Sequence, residues 1–132
     1  METRLNYLRK DSFDKDHVIR FLNTTGYDAS VNKKVEVSCI TINKLIDQYW
    51  KGRNVNLLVI DAEGHEPEII RHIDFDLLFP EVLFFESQNL GSEKEILFDF
   101  LSDKHYKVKE IGWDCIAIQP NSAPECINII EK

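Results

Sequence analysis

Short apolar runs along the chain predict its strands. Leu57–Ile60 is an apolar run without alternation, which is typical of a strand covered on both faces of a parallel sheet. Residues 82–85 form a second such run. Residues 35–39 alternate between apolar and polar positions, a pattern that predicts a short strand with one exposed face. Two further strand segments flank Gly112 and predict a hairpin: Lys107–Ile111 and Asp114–Ile118.

Apolar residues at helical spacing predict four helices. Residues 14–22 place several apolar side chains on one helical face. Thr41 precedes a second helical pattern and has a side chain that can cap a helix. A third helix begins near Glu66. Ser92, with Glu95 three residues later, matches a capping box and predicts the start of the fourth helix.

The strand Leu57–Ile60 ends in an acidic turn that contains the first candidate site residues. In open parallel sheets, ligands bind beyond the carboxyl ends of the strands, where we expect Asp61, Glu63 and His65. A carboxylate at this position can orient a substrate hydroxyl or accept its proton, and the imidazole of His65 could act as a general base. The alternative is that Asp61 only accepts backbone hydrogen bonds in the turn and that His65 is an exposed turn residue.

Glu86 follows the second buried strand as Asp61 follows the first. We therefore expect Glu86 to face the same crevice and to contact substrate, although it could also be a simple polar end to the strand. Gly64 permits a left-handed turn between the strand and the helix. Glu66 is interpreted only as an acid at the positive end of that helix.

Composition narrows the possible partners and the compartment. The chain of 132 residues has 16 Lys and Arg against 23 Asp and Glu, a net charge of −7, which argues against nucleic acid or an anionic membrane as the main partner. No apolar run approaches the ~20 residues needed to cross a bilayer. The 3 cysteines form no CxxC pair, which predicts a reduced, cytoplasmic protein. Cys39 and Cys115 lie in predicted strands and are expected to be buried thiols.

In their order and spacing, these segments resemble the C-terminal half of the FkbM-type methyltransferases. The similar segments are residues 35–37 with 40–45, residues 57–66, residues 80–86 and, for some members, residues 12–16. The resemblance implies a class I methyltransferase fold, S-adenosylmethionine as cofactor, and O-methylation of a small-molecule or sugar hydroxyl. It also implies that Asp61 and Glu63 hold that hydroxyl, with a carboxylate or His65 accepting the proton.

The predicted fold is α/β: a partial Rossmann-like class I methyltransferase sheet, with mostly parallel strands and a C-terminal antiparallel hairpin. The first half of that fold is expected to be absent, because all five glycines are isolated and no glycine-rich cofactor turn occurs. The predicted division is a poorly defined N-terminal segment (residues 1–34), the C-terminal half of a methyltransferase domain (35–119) and a tail (120–132).

Two other hypotheses remain open at this point. Without the first half of the fold, the strand Leu57–Ile60 would have no neighbouring strand on one side and would be an open edge. The chain could therefore be a non-catalytic remnant or a partner-dependent subunit. Such a subunit would associate with itself or with another chain through an exposed sheet edge. A weaker hypothesis is a metal-dependent hydrolase in which Asp61, Glu63 and His65 supply mixed oxygen and nitrogen ligands.

Overall fold

The structure, a computed structural model, describes residues 15–28, 30, 33–50, 52, 55–121, 123, 126, 128 and 130. The chain divides into two compact units, residues 1–38 and residues 39–132. The predicted division into residues 1–34, 35–119 and 120–132 stays a prediction. Residues 12–14 of the family resemblance lie outside the described residues. None of the described helices is both long enough and apolar enough to span a membrane.

The first unit contains one described helix, α1 (Lys15–Thr25). It is the helix that the apolar spacing over residues 14–22 predicts, and its Val18 and Leu22 side chains are buried. The helix ends at a left-handed Gly26, which has a φ of 77°, and the Tyr27 N–H then donates to the carbonyl of Leu22 at 2.9 Å. Glycine adopts this terminating conformation without steric cost.

The prediction of a strand at residues 35–39 is wrong, because residues 33–41 form neither a strand nor a helix. Val35 and Val37 are 66% and 62% exposed, and Cys39 is exposed as well, so the predicted buried thiol at Cys39 is also wrong. Alternation is only a local signal, whereas a strand is stabilised by side-chain pairs with a neighbouring strand. Within the described residues, no strand pairs with this segment.

The second unit contains the remaining elements: α2 (Ile42–Tyr49), β1 (Leu57–Ile60), α3 (Glu66–Arg71), β2 (Val82–Glu86), α4 (Glu93–Asp103), β3 (Lys107–Ile111) and β4 (Asp114–Ile118). Each corresponds to a predicted helix or strand. Thr41 caps α2 as predicted, since its hydroxyl accepts a hydrogen bond from the Lys44 N–H at 3.3 Å. The prediction of a capping box at Ser92 is wrong. Ser92 already has helical backbone angles (φ −71°, ψ −17°), and its side chain makes no capping bond.

The four strands form one mixed sheet in the order β1-β2-β4-β3. β1 and β2 are parallel, whereas β4 is antiparallel to both β2 and β3. The α/β class and the hairpin are therefore confirmed, but the expectation of mostly parallel strands is wrong. Parallel neighbours need a crossover connection, and only β1 and β2 are neighbours joined through a helix in the described part of the chain.

The two faces of the sheet are covered differently. One face packs against α3 and α4, in a core that includes Ile70, Leu83, Phe85, Leu97, Leu101, Cys115 and Ala117. On the opposite face, the residues of β2 and β4 pack with Ala123 and the last described residues. On that second face of the edge strand β1, Leu57 and Val59 are 56% and 59% exposed. The sequence of β1 is typical of a strand covered on both faces, but one of its faces is open within the second unit.

Candidate functional site

The parallel pairing of β1 with β2 brings their carboxyl ends together. Ile60 lies opposite Phe85, so the next residues, Asp61 and Glu86, emerge at the same edge of the sheet. The loops that follow the two strands approach each other closely. A Cβ placed on Gly64 would lie 3.8 Å from the Cβ of Asn89. This edge is where the sequence predicts the site.

The acidic loop after β1 is a tight turn. The His65 N–H donates to the carbonyl of Ala62 at 3.3 Å, and the two residues between them, Glu63 and Gly64, have positive φ angles of 53° and 99°. Two consecutive positive φ angles are the signature of a type I′ turn. Glycine adopts such angles freely, whereas a left-handed conformation at Glu63 costs roughly 1–2 kcal/mol. Other interactions must therefore offset the strained backbone conformation at Glu63.

Glu66, the first residue of α3, bonds to the backbone of this turn. It is 0% exposed, and its two carboxylate oxygens are both used. Oε1 accepts the Ala62 N–H at 2.6 Å, and Oε2 accepts the Gly64 N–H at 2.9 Å. The sequence interpretation of Glu66 as a charge at the helix terminus missed these bonds. The signal that could have indicated them is a glutamate in the first turn of a predicted helix. In a capping box, such a glutamate accepts a hydrogen bond from the backbone that precedes the helix.

Four carboxylates gather at this edge of the sheet. Oxygen atoms of Asp61, Glu66 and Glu86 lie within 4.8 Å of one another, and Glu63 is close enough for its charge to act on Glu86. The pKa of Glu86 is raised above its ordinary value of 4.5, first by burial and then by the charges of Glu63, Glu66 and Asp61. The Asn89 amide opposes this shift by donating to the Glu86 carboxylate at 3.3 Å.

The structure brings together three of the four predicted site residues: Asp61, Glu63 and Glu86. His65 is exposed at the N-cap position of α3, and its side chain makes no capping bond. Among the described residues, the group that could share one metal ion contains Glu66 and Glu86 with Asp61, and it includes neither Glu63 nor His65. The ligand set of the hydrolase hypothesis is therefore not assembled. The roles of the four residues stay predictions.

Replacing Glu86 with Gln is expected to stabilise the protein near pH 7, because it removes a charge that burial and neighbouring carboxylates disfavour. The gain should be only about 0.5 kcal/mol, because solvent screens this half-exposed group. Its raised pKa means that the folded protein keeps the proton as pH rises past 4.5, whereas the unfolded chain loses it. The stability that this group contributes is thus present below that value and is lost as pH rises through the raised pKa. Urea unfolding of both proteins across this pH range measures the effect.

The gain from Glu86→Gln should disappear in acid, below about pH 4, where the carboxyl group is protonated in both states. Glu36→Gln is the matched control, since it removes the same charge from an exposed position in the other unit. It should leave the pH dependence unchanged. A difference between Glu86→Gln and the parent that is constant with pH would contradict the assignment of the raised pKa.

Gly64→Ala is expected to lower the free energy of unfolding by about 1–2 kcal/mol, because alanine strongly disfavours positive φ. The added Cβ would meet only ordinary contacts, the nearest at 3.8 Å, so the cost comes from the backbone. Gly112→Ala is the control, with a φ of 67° that lies nearer to the left-handed region that L-residues can adopt. Thermal unfolding should rank Gly64→Ala as the more destabilised variant, and the reverse order would contradict the turn geometry.

Comparison with known proteins adds one positive finding. The sequence model of the methyltransferase FkbM domain matches residues 4–108 of the chain. The matched range contains the acidic turn, Glu66 and Glu86. No curated protein and no solved structure matches the chain.

Proposed function

Because the chain belongs to the FkbM methyltransferase family, we propose that it is a methyltransferase domain that uses S-adenosylmethionine to methylate a hydroxyl group. The proposed substrate class is a small molecule or a sugar. The observation that supports this most is the carboxylate cluster of Asp61, Glu63 and Glu86 at the carboxyl ends of two parallel strands. Ligands of open α/β sheets bind at this position.

The chemistry of the cluster fits such a cofactor. S-adenosylmethionine supplies a methyl group on a positively charged sulfonium, together with ribose hydroxyls. The carboxylates of Asp61 and Glu86 offer negative charge to a cation and accept hydrogen bonds from hydroxyl groups. The glycine-rich turn that such folds use to contact the cofactor does not occur in this sequence. The carboxylates of Asp61 and Glu86 are the groups whose charge would attract the sulfonium.

In the proposed mechanism, the chain's residues position the substrate hydroxyl and remove its proton. Asp61 and Glu63 hold the hydroxyl, and Glu86 contacts the substrate from the neighbouring strand. A carboxylate of the cluster or His65 would accept the hydroxyl proton. The cofactor would supply the methyl group, whose bond to the sulfonium sulfur breaks as its bond to the hydroxyl oxygen forms, and a neutral thioether would leave. The raised pKa of Glu86 makes its carboxylate a stronger proton acceptor than an ordinary glutamate. Most of the rate enhancement would come from proximity and orientation.

An NMR titration of the isotopically labelled chain tests this proposal. Added S-adenosylmethionine should shift the backbone resonances of residues 61–66 and 86–91 more than those of the hairpin Lys107–Ile118. S-adenosylhomocysteine, which lacks the positive charge, should produce the same pattern with weaker affinity if the carboxylates attract the sulfonium. Saturable shifts confined to other regions, or the absence of any shift, would contradict the proposal.

A second candidate function is that of a partner-dependent subunit, and one feature of the second unit favours it. β1 is an edge strand of the sheet and has an exposed apolar face. Beside it, α2 and β1 line an apolar groove of about 310 Å³, whose walls are Ile42, Leu45, Ile46, Tyr49, Trp50, Val55, Leu57, Leu58 and Leu78. An open apolar edge strand promotes pairing with another chain.

Sedimentation of the chain distinguishes this second candidate. A self-associating subunit should form dimers or larger species as concentration rises, and Val59→Lys should return it to a monomer by placing a charge on the exposed face of the edge strand. Asp76→Lys, at an exposed loop position, is the control and should leave association unchanged. A monomer at every concentration would argue against self-association.

A further inference from the structure

We propose that Glu66 is a positioning residue that fixes the direction of the Glu63 side chain by clamping the backbone on both sides of it. The two donors that Glu66 accepts, the N–H groups of Ala62 and Gly64, belong to the residues immediately before and after Glu63. The clamp therefore constrains the one non-glycine residue of the turn that has a positive φ. For its effect on catalysis, this inference rests on the proposed function, but the clamp itself is testable without it.

The burial of Glu66 supports a dedicated role for its carboxylate. A fully buried carboxylate is costly unless hydrogen bonds compensate it, and here both oxygens are compensated by backbone groups of a single turn. A charge that served only the terminus of α3 would not need burial. The neighbouring Glu68 illustrates this, because it lies in the same first turn and is exposed.

Strained conformations at functional sites persist only when the surrounding structure over-determines them. In this turn, the Ala62–His65 hydrogen bond, the glycine at position 64 and the two bonds to Glu66 act together on Glu63. The bonds to Glu66 come from a side chain, so a conservative substitution can remove them. Asp61 immediately precedes the clamped Ala62, so the position of its carboxylate depends on the same bonds.

Glu66→Gln separates the clamp from packing. Glutamine has the same shape but only one acceptor oxygen, so its amide nitrogen would face either the Ala62 or the Gly64 N–H, and that bond would be lost. Glu68→Gln is the matched control, since it removes the same charge from the same helical turn without touching the loop.

Amide hydrogen exchange measured by NMR tests the clamp. In Glu66→Gln, the amide of Ala62 or of Gly64 should exchange about tenfold faster, and scalar couplings should show averaging of the Glu63 φ angle. The resonances of β2 and β4 should stay in place, which would show that the sheet is intact. In Glu68→Gln, exchange at Ala62 and Gly64 should equal that of the parent. Unchanged exchange and coupling in a folded Glu66→Gln variant would overturn the proposal.

A kinetic measurement tests the effect on catalysis. With a methyl acceptor, Glu66→Gln should lower kcat about tenfold or more with little change in KM, because a misdirected Glu63 affects the transition state more than substrate binding. Partial unfolding would also lower the apparent kcat and leave KM unchanged, so kcat is calculated per folded enzyme, whose amount the resonances of β2 and β4 report. An unchanged kcat would overturn the catalytic part of the inference. If the parent chain neither binds S-adenosylmethionine nor transfers a methyl group, the proposed function fails, while hydrogen exchange still decides the clamp.

Discussion

Glu63→Gln and Asp61→Asn are each expected to lower the rate of methyl transfer by a factor of about 100 or more. Each substitution keeps the size of the side chain but removes the negative oxygen that orients the substrate hydroxyl or accepts its proton. The measurement is transfer of a labelled methyl group from S-adenosylmethionine to a hydroxyl compound found by screening, with kcat and KM determined separately. The fall should be in kcat, because the lost interaction strengthens as the hydroxyl gives up its proton.

Asp76→Asn is the matched control for this pair. Asp76 is exposed in the loop between α3 and β2, outside the carboxylate cluster, and its substitution removes the same charge. It should leave transfer unchanged. The thermal stability of all three variants should stay close to that of the parent, which would show that a slower methyl transfer does not result from unfolding. Full turnover in both Glu63→Gln and Asp61→Asn would contradict the assignment of these residues to the reaction.

Phe85→Ala is expected to lower the free energy of unfolding by about 3–5 kcal/mol. Phe85 is 0% exposed and lies in β2, which is hydrogen-bonded to a strand on either side. Its ring belongs to the core under α3 and α4, so truncation leaves a cavity that the strands and helices cannot easily fill. Urea unfolding measures the loss. The effect would also reach the site, because the next residue along β2 is Glu86.

Phe84→Ala is the matched control, since Phe84 is the adjacent residue of the same type and faces the other side of β2. It is only half-buried, and its truncation should cost clearly less than that of Phe85. Equal costs for the two variants would contradict the account of a sheet that is covered more completely on one face than on the other.

The predictions that the structure confirms rest on patterns that local chemistry decides. Apolar runs located β1 and β2, helical spacing located the helices, and Gly112 located the hairpin turn. The carboxyl ends of two parallel strands meet at one edge for geometric reasons, so the juxtaposition of Asp61 and Glu86 could also be predicted. In each case the residue types themselves carried the information.

The predictions that are wrong depended on partners that the sequence does not display. Residues 35–39 alternate correctly, but no described strand pairs with them. Ser92 has the right residue type for a capping box, but its backbone is already helical. The bonds of Glu66 were missed because they follow from the left-handed turn at Glu63, and a glutamate there gives no sign of positive φ. The first outcome depended on a tertiary partner, and the other two depended on local backbone angles that the residue types do not reveal.

Calorimetric titration of the chain with S-adenosylmethionine tests the central claim most directly. The carboxylate cluster at the ends of β1 and β2 should give saturable binding in the micromolar range, weakened in Glu86→Gln and unchanged in the control Asp76→Asn. The absence of binding heat up to millimolar cofactor would contradict the claim that this chain builds the cofactor site itself. The partner-dependent subunit would then be the better account of its function.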